Sequence, residues 1–437
     1  MTKARITLSF PVLLLAGCTP TEAGFQPADK VEVQPDVLIA EDGRQVLLCE
    51  ENPSCPASGD DALARHGGLV AISACGFELV DQNTWSRNDA VLDGLAEVLP
   101  EVDMTVVLRD LDRSGTRVTS SEPHLAALDH LHAAFRWNAS DTKDPSWMPQ
   151  GVSGSADAAD DERVAGREVL AVSWYHKPEK TSQPSLNHGS RVSFADVTDL
   201  SEGTVPYRHV LLVEPYDDGG TPNFRAIKLH VGGIAWTGRY MYAVDTMRGL
   251  RVFDTERMIA VDGRDASIGR NAGTGEYNAY GYEYVMPQVG AYFNPEGACG
   301  FRFSYVALDK TGETPALVTG EFRDGANIAG KLARWNLDGE RLAVTDVDSD
   351  AIRPIQVFLA QESFLQGALS IRGEWWLSSA DGKGKLYRSS PAGASQGHGW
   401  VFGPEDLMYS ASQDALWSAS EFPNHRYVFS TAVSAYP

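Results

Sequence analysis

From Trp147 onward the chain is written in short runs of β-branched and aromatic residues, broken at brief intervals by Gly-containing turns, which predicts all-β structure. The runs recur in a fixed order. Gly233-Ile234-Ala235-Trp236 leads, across a Gly turn, to Tyr240–Asp245 and then Gly249–Asp254. The same order appears in Gly367–Ser370, Glu374–Ser378 and Gly384–Arg388, and again in Asp406–Tyr409, Asp414–Ser418 and His425–Phe429. A fourth copy starts at Gly151-Val152 and passes through Val169–Ser173 and Arg191–Ala195 to Val210–Val213. A looser fifth runs from Gln288 through Phe303–Val306 to Lys331–Trp335. Three or four short antiparallel strands per unit, repeated, predict a β-propeller, because each sheet has two apolar faces that only stacked neighbours can cover. Five blades are legible. The long intervals between repeats hold loop insertions or a degenerate extra blade, leaving six or seven blades open, whereas the shortest, Gln366 to Glu405, matches one bare blade of about 40 residues. A single β-sandwich would not explain one unit recurring with the same internal order.

The region before the repeats has a different texture. Asn88 or Asp89 is placed to cap a helix through Val91, Leu92, Leu95 and Leu99, which Pro100 ends. A second helix is expected from Ser121, with Leu125, Leu128, Leu131 and Phe135 on one face, and Met104–Leu108 between the two is β-prone. The expected organisation is a signal segment at 1–17, a polar, Pro-bearing tether at 18–43, a small N-terminal α/β region at 44–140 and the propeller at 141–437.

Export is written in the first residues. Lys3 and Arg5 precede an apolar run, Ile6–Leu15, of signal-peptide length and too short to cross a bilayer. It ends in Leu15-Ala16-Gly17-Cys18, which resembles a bacterial lipobox; the resemblance implies lipidation of Cys18 and a membrane partner through that anchor. Thr19 after it, rather than Asp, points to the outer membrane in a host that has one. Four cysteines remain, Cys49, Cys55, Cys75 and Cys299, an even number that suits two disulfides in an oxidising compartment. The turn-rich segment between Cys49 and Cys55 makes those two the expected local pair, leaving Cys75 for Cys299. Their spacings do not resemble a zinc pattern.

Charge and composition narrow the function classes. A net charge of −22, without clustered Lys and Arg, excludes a nucleic-acid partner. With 43% hydrophobic residues, including 16 Phe, 15 Tyr and 10 Trp, the chain fills a substantial core. The aromatics Trp174, Tyr175, Trp236, Trp375, Trp376 and Trp417 lie inside strand runs and are expected between blades. No Gly-x-Ser-x-Gly elbow or His-Glu-x-x-His pair is present, and Asp110–Gly115 departs from a calcium-loop spacing by one residue. His124, His130 and His132 do not share a helical face.

The candidate chemistry sits at the start of each repeat. Aligned there are Gln150, His230, Gln288, Gln366 and Glu405, predicted to form a polar ring around one mouth of the channel and to bind a small ligand. Glu405 and Asp406 are the candidate ligands for a calcium ion, with Asp157, Asp245 and Glu296 as supplements. Amides at these positions could equally satisfy exposed backbone groups at tight turns. Trp147–Gly151, Tyr207–Pro215, Gly249–Asp254 and Gly403–Leu407 together resemble a group of secreted bacterial proteins of uncharacterised activity, over roughly residues 135–430. That resemblance implies the propeller and export, and carries no catalytic residue. Two functions are therefore expected: a binding or scaffold role at the cell envelope toward a protein or small molecule, or a calcium-assisted hydrolase of lactones, esters or phosphate esters with His230 as general base.

Overall fold

The computed structural model describes residues 37–40, 45–49, 55, 68–178, 187–324, 330–346, 349–391 and 394–436. Cys18 and the signal segment lie outside them. Five antiparallel sheets follow one another along the described chain. Blade 1 is Trp147–Gly154, Val169–His176, Ser190–Asp196 and Thr204–Asp217. Blade 2 is Ile234–Thr237, Tyr240–Asp245, Gly249–Asp254 and Tyr284–Phe293. Blade 3 is Tyr305–Asp309, Ala316–Gly320, Gly330–Asp338 and Gln356–Ala360. Blade 4 is Leu365–Ile371, Glu374–Ser379, Lys385–Ser389 and Gln396–Gly399. Blade 5 is Pro404–Ser410, Ala415–Ser420 and Tyr427–Ala432.

The first strands of blades 1 to 5 are neighbours in cyclic order, so the sheets close into a propeller. Five apolar clusters fill the five gaps between blades, as a fold of face-to-face sheets requires. Trp236, Met241 and Phe253 pack on Val192 and Phe194 between blades 1 and 2; Tyr242 and Val244 meet Trp335 between blades 2 and 3. Phe358 meets Trp375, Trp376 meets Leu407 and Phe429, and Trp417 meets Val172 and Trp174 at the remaining three. The buried tryptophans are thus inter-blade core, as the repeat pattern predicts, and Tyr175 is the exception.

Glycine marks where first strands touch. A Cβ on Gly233 would lie 2.2 Å from the Val306 amide nitrogen, and one on Gly367 would lie 2.7 Å from the Asp406 Cα. No side chain fits at either point, so the axis is closed there by backbone against backbone.

The N-terminal segment departs from expectation. The first helix exists but spans Trp85–Ala96, capped at Thr84 rather than Asn88 or Asp89 and ending three residues before Leu99, and Asn88 lies inside it, donating to the carbonyls of Gln288 and Val289. Met104–Arg109 is helical rather than β, because Asp103 caps it by accepting from the Val106 amide. The helix expected after Ser121 is absent. Turns occupy that stretch, and Leu131–Arg136 instead pairs with Tyr427–Ala432 as the fourth strand of blade 5. Here a long-range sheet edge outweighs a local helical pattern. Leu69–Ile72 likewise adds a fifth strand to blade 3. Residues on both sides of position 140 therefore build the same ring, and the described residues fall in one compact unit.

Two disulfides form, with a pairing opposite to the expected one: Cys49–Cys75 and Cys55–Cys299. The Cys299 amide donates to the Gly76 carbonyl at 2.7 Å, which sets the Cys75 and Cys299 segments side by side. Each then takes one partner from the 49–55 segment, and the short local loop loses to two tertiary clips.

Candidate ligand site at the channel mouth

The first strands of blades 1, 4 and 5 enter the ring through irregularities, between Pro149 and Val152, Leu365 and Gly367, and Pro404 and Leu407. Gln150, Gln366 and Glu405 are the residues at these bulges. A bulge releases a residue from the ladder and re-aims its side chain, which is how a polar residue comes to sit at the start of an otherwise apolar strand.

Three of the five aligned residues converge. Gln150 donates its Nε2 to the Pro149 carbonyl at 2.8 Å and lies beside the Glu405 and Glu421 carboxyls, favouring their charged forms. His230 lies edge-on to Tyr175, ring centroids 4.1 Å apart, and the Tyr175 phenol is raised by burial and by the fields of Glu421 and Glu405. Half-buried Gln366 occupies the equivalent position on blade 4. Gln288 is misplaced by the alignment: it pairs with Phe253 on the fourth strand of blade 2 and accepts from Arg251 Nη1 at 2.8 Å. The true counterpart on blade 3 is Ser304-Tyr305. The insertion carrying the Ile268–Arg270 and Tyr277–Ala279 hairpin lengthens blade 2 and displaces the register.

His230 is solvent-exposed yet enclosed by surrounding protein, and burial, reinforced by Arg302 and Lys177, lowers its pKa to about 4. It is a neutral imidazole at physiological pH. Glu405 is buried, its Oε1 has no protein partner, and burial with the neighbouring Glu421 and Asp406 charges raises it well above the usual carboxylate range. Glu421 is raised by burial too, against Lys177 and Arg426. Behind His230 and Tyr175 the buried layer thus holds an amide and two carboxyls whose ionisation burial opposes.

The proposed calcium set does not assemble. Asp406 accepts from the Val152 amide at 3.4 Å, tying blade 5 to the first strand of blade 1, and burial raises its pKa. Asp245 is ion-paired with Arg251 at 2.9 Å, Glu296 is exposed in a loop, and Asp157 lies at the other end of the channel. Among the described residues no group of three or more His, Cys, Asp or Glu is placed to hold a metal. The calcium-loop-like segment is engaged elsewhere: Asp110 and Asp112 face Arg208 at 3.1 and 3.7 Å.

At that far end, a cavity of about 170 Å³ is lined by Asp157, Lys310, Thr311, Ser370 and Tyr409 from four blades. Lys310 Nζ donates to the carbonyls of Asp157 and Ala159 at 3.3 and 3.1 Å, and Ser153 Oγ donates to Asp157 Oδ2 at 2.5 Å. Burial pushes Asp157 up to about 8, the Ser153 bond and Lys310 opposing it and Glu162 adding to it. A raised acid stabilises the fold fully below its unfolded pKa near 4, and loses that contribution as pH rises toward 8. Asp157→Asn should therefore flatten the fall in melting temperature between pH 5 and 8.5. An unchanged slope in thermal scans would show that Asp157 ionises freely in the folded protein.

The sequence did not disclose a buried line of polar groups between blades 1 and 5. Trp174 Nε1 donates to Ser193 Oγ at 2.7 Å, the hydroxyl meets His209 Nδ1 at 2.7 Å, and Nε2 faces Asp141 Oδ2 at 3.1 Å. The bond order is that of a hydrolase triad. Yet Ser193 is fully buried and His209 and Asp141 nearly so, so no substrate reaches the hydroxyl. Burial and Arg191 lower His209 to about 3, a neutral ring. Burial opposes ionisation of Asp141, but contacts with His209, Arg191 and Tyr207 outweigh it and hold the carboxyl well below its usual range. The line is a structural clasp joining His209 and Ser193 of blade 1 to the segment that enters it. Its members are dispersed over 141–209, and no spacing signal marks them.

Fold and site together define a five-bladed propeller with a polar, aromatic-rimmed mouth. No protein-family model matches the sequence, and no curated protein is detectably similar to it. Two solved structures align over most of its length. One is a gluconolactonase from Xanthomonas campestris, at 14% identity over 76% of this chain and 97% of that chain, TM-score 0.30. The other is an auxiliary nutrient binding protein from Bacteroides thetaiotaomicron, at 10% identity over 74% and 76%, TM-score 0.30. At these values neither lends an activity to this chain.

Proposed function

We propose that the protein is an exported, lipid-anchored propeller that binds a small molecule at the channel mouth. The observation that carries this is the exposed His230 packed edge-on against half-buried Tyr175, beside half-buried Glu421, with the carboxyl of Glu405 and the amide of Gln150 buried behind them. Rigid elements from two blades hold these groups, which favours recognition. The hydrolase alternative requires His230 and several ionised carboxylates about one ion, whereas here Glu405 and Asp406 are buried and Asp406 accepts from the Val152 amide. Export is supported by the lipobox-like segment at Cys18 and by the two disulfides.

Thermal scans of the full-length protein against a panel of polar metabolites, with and without calcium chloride, test the site. A ligand-induced rise lost in both Gln150→Ala and His230→Ala is expected. A calcium-induced rise lost in Glu405→Gln, with ester or lactone turnover that needs His230, would replace binding by hydrolysis. For the anchor, Cys18→Ser should abolish incorporation of labelled palmitate; continued labelling would place the lipid elsewhere.

A further inference from the structure

At the end of the channel opposite the mouth, the cavity of about 170 Å³ is bordered by two polar groups that the fold leaves unused. Asp157 is 4% exposed and its Oδ2 is taken by Ser153, but its Oδ1 has no hydrogen-bond partner among the described residues and keeps contact with solvent. Ser370 is 2% exposed, and its Oγ is likewise unpartnered and reached by solvent. Asp157 belongs to the short helix after the first strand of blade 1, and Ser370 to the first strand of blade 4. Closure of the ring is what brings both to one cavity.

The lining is acidic. Asp160, Glu162 and Asp309 border the same space, against Lys310 as its one cation among the described residues. Lys310 is already engaged, by the carbonyls of Asp157 and Ala159 and by Asp160 at 3.4 Å. Glu162 accepts from Ser410 and Ser412, and Asp309 from Thr311 and Arg334. Those bonds leave Glu162 and Asp309 to set the field rather than to ligate a metal. Leu308 and Leu369 supply apolar wall. A void of this size takes about six non-hydrogen atoms, since an engineered one of about 150 Å³ holds benzene. We propose that this far end binds a small primary amine in its ammonium form, the N–H groups donating to Asp157 Oδ1 and Ser370 Oγ, and a short alkyl stem lying beside Leu308 and Leu369. An ammonium brings three donors and no acceptor, which suits two oxygens that lack donors. Its charge answers the acidic lining, where a carboxylate or phosphate would be repelled. Water would satisfy the oxygens without answering that field.

Such binding carries a proton signature. Burial keeps Asp157 protonated up to about pH 8, so an ammonium must displace that proton to gain its counter-ion. The groups facing Asp157 are Ser153, Lys310, Glu162 and Asp406. Affinity should fall about tenfold per pH unit below 8. Full-length protein in detergent is titrated calorimetrically with butylamine, 4-aminobutanol and ethanolamine at pH 8 and pH 6.5, in two buffers of different ionisation enthalpy. Butanol and calcium chloride serve as controls. At least one amine should bind at pH 8, and at pH 6.5 it should release about one proton and bind more than about tenfold more weakly. Asp157→Asn should remove the binding, and Ser370→Ala should weaken it about tenfold. Both substitutions nearly conserve volume, and an unchanged melting temperature at pH 5, where Asp157 is neutral, certifies each fold. Butanol binding as tightly as butylamine, uptake without proton release at pH 6.5, binding indifferent to Asp157→Asn, or no amine bound overturns the assignment. A calcium-induced heat lost in Asp157→Asn overturns it in favour of a metal site. The mouth stands or falls separately, through Gln150 and His230.

Discussion

Removing the Cys55–Cys299 bond, as Cys55→Ser/Cys299→Ser, should cost up to about 5 kcal/mol of stability. The bond closes a loop of 244 residues, and the chain-entropy model assigns roughly 5 kcal/mol to a closure of that length. The Cys49–Cys75 loop, with a separation of 26, should cost less, roughly 3–3.5 kcal/mol on the same model. Urea unfolding of the two double variants gives the comparison directly. If the long-range variant unfolds at the wild-type midpoint, Cys55–Cys299 does not restrain the denatured chain. Equal losses would instead show that loop length is not what governs the stabilisation.

Asp141→Asn should destabilise by about 3–5 kcal/mol, the range for removing one member of a buried ion pair. Arg191 is nearly buried and stacks at 4.3 and 4.9 Å over Trp147 and Trp174, so its charge has no route to water once Asp141 is neutral. The Tyr207 hydroxyl, which donates to Asp141 Oδ2 at 2.5 Å, and His209 exchange a charged acceptor for at best a neutral amide. The sign with pH follows from the lowered pKa values. Asp141 contributes fully above its unfolded pKa near 4 and loses that contribution as pH falls below it. His209, lowered to about 3, contributes fully above about 6.5 and loses its share between there and 3. The wild type should therefore weaken steeply on acidification, and the variant less so below pH 4. A variant that keeps the full wild-type acid slope would assign that slope to other carboxylates.

How much of this was legible follows from the range of each interaction. The blades were readable because a strand's alternation and its turn glycines are local, and because Gly151, Gly233 and Gly367 recur where backbones touch. Gln150 and Glu405 were found through that repeat. Gln288 was misplaced by the same method, since an insertion shifted blade 2 and nothing local distinguishes its buried fourth strand from a first strand. Leu131–Arg136 looked helical because leucines at 125, 128 and 131 fit a 3.6-residue period, whereas its partner strand lies at the other end of the sequence. Tyr175 and Glu421 joined the site only through contacts between blades 1 and 5. The exchanged disulfides have the same origin: their geometry depends on how the Cys75 and Cys299 segments meet.

The pairing of Leu131 with Thr431 also sets a timetable. The partners are 300 residues apart in the chain, which at ribosomal speeds separates their emergence by roughly 15–60 s. Through that interval the earlier strand has only its local partner, Arg113–Arg117, its other edge is open, and blade 5 cannot be completed until almost the last residue has been made. A polypeptide unable to close its ring while still being synthesised must finish folding after release. The same delay makes C-terminal truncations hazardous: a chain stopped before Tyr427 would carry a permanent sticky edge, and its fate would be self-association rather than a smaller propeller.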